Sequence, residues 1–242
     1  MVFLCFSSNE RYSAAKSCLY HLKNYGIKTW YDYHQLILGD DKNKKNFEVA
    51  IKECNYFIII YSKAFFQSRC AVEEETLIFK EAQKRNITIF PLLYNISFSE
   101  LPLEYKTKID KLIYNEISDK TGTIAPINQI ISKILINNLG LDSLELTPEI
   151  NENIISQINE PYLKKILIEY LNISYQNFNA RIAILFCVFS YIKENNLIND
   201  VPYYLGKIIS YLITFTHLDI QYNHKELIIA ELVIIHCLNL IG

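Results

Sequence analysis

The chain has 242 residues, half of them apolar, and a formal net charge of −2. That supply of apolar side chains fills one large core or two modest ones and excludes a disordered chain. Charges of both signs are mixed along its length, leaving no basic stripe for a nucleic-acid backbone and no polybasic segment for a membrane surface, so neither partner is expected.

Val2 to Phe6 is an apolar run that reads as a first strand. No positively charged segment or small-residue cleavage site accompanies it, so a signal peptide is not expected and the chain reads as cytoplasmic. Ser7-Ser8-Asn9-Glu10 supplies capping residues for a helix from about Arg11 to Tyr25, and Gly26 stands where a C-terminal glycine belongs. Ile27 to Tyr31 resumes strand character. Asp32 to Asp41 is a loop turning at Gly39, before a helix from about Lys44 to Glu53. Asn55 to Tyr61 (NYFIIIY) is nearly unbroken apolar and β-branched sequence, which suits a strand buried on both faces of a parallel sheet. After Ser68 the pattern becomes helical, with Ala71, Ile78 and Ala82 on one face and Val72 and Phe79 beside them.

Ile87 to Tyr94 is a fourth strand, and its Pro91 predicts a strand end rather than a central place in the ladder. Leu112 to Ile117 is a short edge strand, and Pro126 to Asn137 a helix with proline in its first turn. The alternation predicts a parallel sheet with helices on both faces. From Leu141 onward strands give way to amphipathic helices at about 148–158, 161–172, 175–195, 201–217 and 224–241. The chain therefore divides into an α/β domain, 1–140, and an all-α bundle, 141–242, with GLDSLELT (140–147) as the boundary. The bundle's apolar helices, Arg181 to Ile192 and Leu227 to Ile241 among them, predict self-association or a sensing role.

The six cysteines form no CxxC pair and mostly lie in apolar runs, which predicts buried free thiols rather than disulfides or a zinc site. The five histidines lack metal spacing, so no metal is expected. No apolar run approaches the ~20 residues of a membrane-spanning helix. Neither GxGxxG nor GxxxxGK[ST] occurs. A phospho-acceptor receiver domain shares the alternating order, but the first strand ends in Phe6-Ser7-Ser8 without an acidic pair for magnesium.

Three segments, VFLCFSSNER, YGIKTWYDYHQLILGD and IIIYSKAFFQSRCAVEEE, stand in one order. Together they resemble a Toll/interleukin-1 receptor (TIR) domain over about residues 1–138. The resemblance implies a flavodoxin-like five-stranded parallel sheet, with Leu36 to Asp41 as the loop that shapes a ligand cleft. TIR domains divide into interaction adaptors and enzymes that cleave the nicotinamide bond of NAD through a glutamate early in the third helix.

Glu73, Glu74 and Glu75 are the candidates. On a helical wheel Glu73 points away from the apolar face, whereas Glu74 and Glu75 are not separated. Aligning FFQSRCAVEE with the family pattern of paired apolar residues, serine, an aromatic and a glutamate four positions later puts the catalytic position at Glu74. Cys70 then stands in place of the family's tryptophan. From the residues alone, EEE also reads as acidic side chains favoured by a helix N-terminus.

Carried over by position are Phe3, Cys5, Phe6, Ser7 and Ser8 at the first strand's end, and Trp30, Asp32, Leu38 and Gly39 around the second. Phe3, Cys5 and Trp30 read equally as core. The resemblance implies NAD as substrate with no cofactor, hydrolysis to ADP-ribose or cyclisation, a homo-oligomer, and bacterial antiviral defence signalling with a defence partner protein. The rival expectations are a non-catalytic TIR adaptor, which Cys70 favours, and a nucleotide-modifying transferase.

Overall fold

A computed structural model describes residues 1–31, 37–41, 49–140, 149–199, 201–214 and 223–241. The chain divides into two compact units, Met1–Lys23 with Ile27–Ile127, and Asn24–Gly26 with Asn128–Gly242. The expected boundary segment, 141–147, lies outside the described residues, as does most of the helix expected from Lys44.

The first unit is built on five parallel strands: β1 (Val2–Cys5), β2 (Thr29–Trp30), β3 (Tyr56–Tyr61), β4 (Thr88–Tyr94) and β5 (Asn115–Ile117). Their order is β2-β1-β3-β4-β5, the flavodoxin-like arrangement, which reverses direction of growth beside β1 and β3. Every residue of β3 is buried, as its unbroken apolar run requires of a strand covered on both faces. Phe3, Cys5, Phe57, Ile59 and Tyr61 share one core with Ala71, Ile78 and Tyr105.

Pro91 is not at a strand end: it is the fourth residue of β4, opposite Ile59, in a strand flanked on both sides. The sheet tolerates it because β5 begins pairing only at Leu92, so on that side no ladder bond is lost at Pro91. The second strand is shorter than expected, with only Thr29 and Trp30 paired, opposite Val2 and Phe3.

The helices of this unit are α1 (Lys16–Asn24), α2 (Ile51–Glu53), α3 (Arg69–Ala82), α4 (Leu103–Ile109) and the start of α5 (Ile124–Asn138). The first helical segment is not α-helical from Arg11. A 3₁₀ turn (Ser8–Glu10), capped by the Ser7 hydroxyl, leads into a π-type turn (Arg11–Ala15) broken at Ser13, whose φ and ψ are both −108°. Gly26 has φ +72°, the left-handed conformation that ends a helix at little cost only in glycine. In α3 the apolar stripe is shorter than expected, because Ala82 is exposed while Ala71 and Ile78 are buried.

The second unit holds α6 (Glu152–Ser156), α7 (Pro161–Asn172), α8 (Phe178–Glu194), α9 (Tyr203–Thr214) and α10 (His224–Ile241). Helix α10 is apolar around most of its circumference and buries 12 residues, the pattern of a central helix in a bundle. One polar cluster within that bundle joins Tyr170, Arg181 and Glu231. Tyr170 donates its hydroxyl hydrogen to Glu231 Oε1, Arg181 Nη1 lies 3.9 Å from the same oxygen, and the buried Glu231 Oε2 has no hydrogen-bond partner. Burial pushes the Glu231 carboxyl up to about 7, the Tyr170 hydrogen bond and Arg181 pull it down, and Glu149 adds to the rise. No helix of the described residues is long and apolar enough to cross a membrane.

Candidate active site

The link between β3 and α3 begins at Ser62, whose hydroxyl accepts the Phe65 N–H at 3.0 Å. A 3₁₀ turn (Phe65–Gln67) then delivers the chain to Ser68, the N-cap of α3, whose side chain accepts the Ala71 N–H at 3.4 Å. Helical spacing from Ala71 puts residues 74, 75 and 78 on the stripe that faces the sheet, and all four are buried. Two acids therefore lie where a core would normally place leucines. Glu73, on the outer face, is half-exposed and pairs with Arg69 at 2.7 Å, the solvated carboxylate predicted by the wheel.

The two buried acids have different neighbours. Glu75, 0% exposed, accepts the Tyr61 hydroxyl at 3.1 Å and the Lys108 ammonium at 2.6 Å, so both its oxygens are engaged inside the fold. Lys108 also lies over the rings of Tyr105 and Phe79, at 4.9 and 5.7 Å. Burial, and then the charge of Glu75, hold the Tyr61 phenol far above its ordinary range. Glu74, 6% exposed, instead borders a crevice with Phe3, Leu4, Phe6, Ser8, Arg11, Ser68 and Cys70. Cys70 donates its thiol hydrogen to Glu74 Oε1 at 3.6 Å, one turn earlier on the same helix. Behind it Cys5 donates to the Ala71 carbonyl at 3.5 Å, and burial followed by the charges of Glu74 and Glu75 keep that thiol protonated.

The crevice thus lies at the carboxyl end of β1, beside the point where the strand order reverses, which is where open α/β sheets take ligands. Of the residues singled out from the sequence, Phe3, Phe6, Ser8, Cys70 and Glu74 come together in it. Cys5 and Ser7 are buried next to it without lining it, Ser7 serving as a cap. Trp30 packs partly buried against the core. Leu38 is 105% exposed and Gly39 occupies a turn with φ +94°; neither lines the crevice, and Asp32 and Leu36 lie outside the described residues. Four thiols are buried as expected, whereas Cys70 is half-buried and Cys187, on the outer side of α8, is exposed. Among the described residues no group of three His, Cys, Asp or Glu side chains is placed to hold a metal ion.

Three lining residues were not singled out from the sequence. Leu4 reads as part of the first strand's apolar run and Ser68 as a helix start. Arg11 reads as the first residue of a helix, yet its guanidinium lies 5.7 Å from the centre of the Phe6 ring, which stacks on Tyr31 at 5.5 Å and 13°.

Residues 2–125 match the sequence model of the TIR domain family. The NAD(+) hydrolase TcpA of Theionarchaea archaeon is 27% identical over 101 residues, 41% of this chain and 30% of that protein. The probable 2′ cyclic ADP-D-ribose synthase TcpO of Methanobrevibacter olleyae is 27% identical over 100 residues, 41% of this chain and 29% of that protein. The matched part spans about 30% of the length of these curated relatives. Among solved structures, the TIR domain of the Toll-related receptor TRR-2 from Hydra magnipapillata is similar, with a TM-score of 0.40 and 18% identity over 58% of this chain and 95% of that one.

Proposed function

This chain belongs to the TIR-domain family, and on that premise we propose that it cleaves the nicotinamide–ribose bond of NAD with Glu74 as the catalytic carboxylate. One observation carries the proposal. Of two buried acids on the inner stripe of α3, Glu75 is engaged by Lys108 and Tyr61, and Glu74 is the one bordering the crevice at the sheet's carboxyl edge. The matched relatives named as an NAD(+) hydrolase and a probable cyclic ADP-ribose synthase support the same reaction class.

A single carboxylate is chemically sufficient. The nicotinamide of NAD is already cationic and departs as a neutral molecule, so no acid is needed to protonate a leaving group, unlike ordinary glycoside hydrolysis with its two carboxylates. Glu74 would accept hydrogen bonds from the ribose hydroxyls and face the positive charge that develops on the sugar as the bond lengthens. Such a fixed anion acts most strongly where little water screens it. Phe3, Leu4 and Phe6 supply the apolar part of that setting. The crevice, about 70 Å³, is well below the ~300–1,000 Å³ of cavities that enclose a drug-sized ligand, so it seats one end of a longer molecule. Water attacking the sugar gives ADP-ribose, and a hydroxyl of the same molecule gives a cyclic product.

The test is to incubate the purified protein with NAD and follow nicotinamide by chromatography. Release by the wild type, with at least a ~100-fold loss in Glu74→Gln, is the expected outcome. Retained cleavage in Glu74→Gln together with loss in Glu75→Gln would move the site to Glu75. No turnover in any assembly state would leave the second reading, a TIR adaptor. That reading is favoured by Ile37 and Leu38, 72% and 105% exposed on a turn closed by Asp40. The same proposal sets the chain in cytoplasmic antiviral defence signalling as a homo-oligomer, to be checked by the mass of the purified protein and by phage challenge of cells expressing it.

A further inference from the structure

The crevice carries charges of opposite sign. On one wall, from α3, stand Glu74 and Cys70; the other wall comes from the segment after β1 and contains Ser8 and Arg11. Arg11 is the one cationic side chain among the described residues that line it. Its guanidinium carbon lies over the Phe6 ring, 5.7 Å from its centre, and Phe6 stacks on Tyr31, so two rings back the cation. A guanidinium carries its donors as a planar fork, the geometry that fits phosphate oxygens two at a time. Ser68, the N-cap of α3, borders the same space, so the positive end of a 14-residue helix adds to the field there.

We propose that Arg11 binds the diphosphate of the substrate, which makes it the residue that selects a dinucleotide over a nicotinamide riboside lacking phosphates. The inference rests on the NAD-cleaving reading above and extends it to a residue outside the acidic helix. The substrate has a complementary order of charge: a cationic ring and the ribose whose bond breaks meet Glu74, and two phosphate charges follow. An anionic wall alone would repel those phosphates. Arg11 offsets the repulsion and fixes which end of the molecule enters first.

The experiment compares wild type, Arg11→Gln and Arg11→Lys with NAD and with nicotinamide riboside. Losing hydrogen bonds to a charged group raises the KM for NAD about 10- to 100-fold in Arg11→Gln, with kcat and the riboside reaction changed less than about 3-fold. Arg11→Lys keeps the charge without the fork and recovers part of the loss. Equal losses on both substrates, or no loss on either, would overturn the inference. A binding arm separates it from the cleavage reading: calorimetry with ADP-ribose on Glu74→Gln and on the double variant Glu74→Gln/Arg11→Gln. Weaker binding in the double variant supports the role of Arg11 even if the wild type cleaves no NAD. Equal binding refutes that role even if NAD is cleaved.

Discussion

The carboxyl of Glu231 is 1% exposed in the helical bundle, and its burial makes the folded state hold a proton that the unfolded chain releases. Displacement from the ordinary 4.5 to about 7, at about 1.4 kcal/mol per pH unit, is worth about 3 kcal/mol. The sign follows from proton linkage. Between those two pH values the folded state binds more protons than the unfolded one, so stability is highest below 4.5 and falls as pH rises through 7. Most of the fall, about 2–3 kcal/mol, lies between pH 5 and pH 8. Glu231→Gln keeps the shape and an acceptor for Tyr170 but cannot ionise. Urea denaturation followed by far-ultraviolet circular dichroism from pH 5 to pH 8 should show the variant gaining on the wild type by that amount, other titrating groups being common to both. A difference between the two proteins that does not change with pH would refute the reasoning.

Lys108→Ala leaves Glu75 buried without its cation; because Lys108 is itself about a third exposed, the expected loss is about 2–4 kcal/mol in urea melts, below the range for a fully enclosed pair. The double variant Lys108→Met/Glu75→Gln should recover more than half of it, and a loss under ~0.5 kcal/mol in the single variant would show the pair to be incidental. Ser68→Ala removes the cap of α3 and should cost about 1 kcal/mol of stability, read in the same melts. Gly26→Ala combines a left-handed backbone with a new Cβ 3.0 Å from Lys207 Cβ, so thermal melts should show a loss of at least about 1 kcal/mol.

The strands were legible because a parallel sheet covered on both faces demands unbroken apolar runs, and β3 is the clearest of them. Pro91 misled because its tolerance depends on where a neighbouring strand begins, which periodicity does not encode. Within EEE, the wheel separated Glu73 from the other two but had no means of separating Glu74 from Glu75. That distinction rests on Lys108, 33 residues further on, and on a tyrosine hydroxyl from the preceding strand. Arg11 was not singled out for a related reason: its place over the Phe6 ring and in one crevice with Glu74 is set by folding, not by helical spacing.

The ion pair beneath Glu74 has a mechanical side. Glu75 ties the second turn of α3 to β3 through Tyr61 and to α4 through Lys108, so the jaw bearing Glu74 is bolted to the sheet. The opposite jaw follows a backbone that interrupts its own helical run at Ser13, so a torsional adjustment there would shift Ser8 and Arg11 without undoing a turn of α1. Closure on a ligand would therefore be one-sided. Hydrogen exchange with ADP-ribose bound should slow at residues 8–15 and stay unchanged in the second turn of α3.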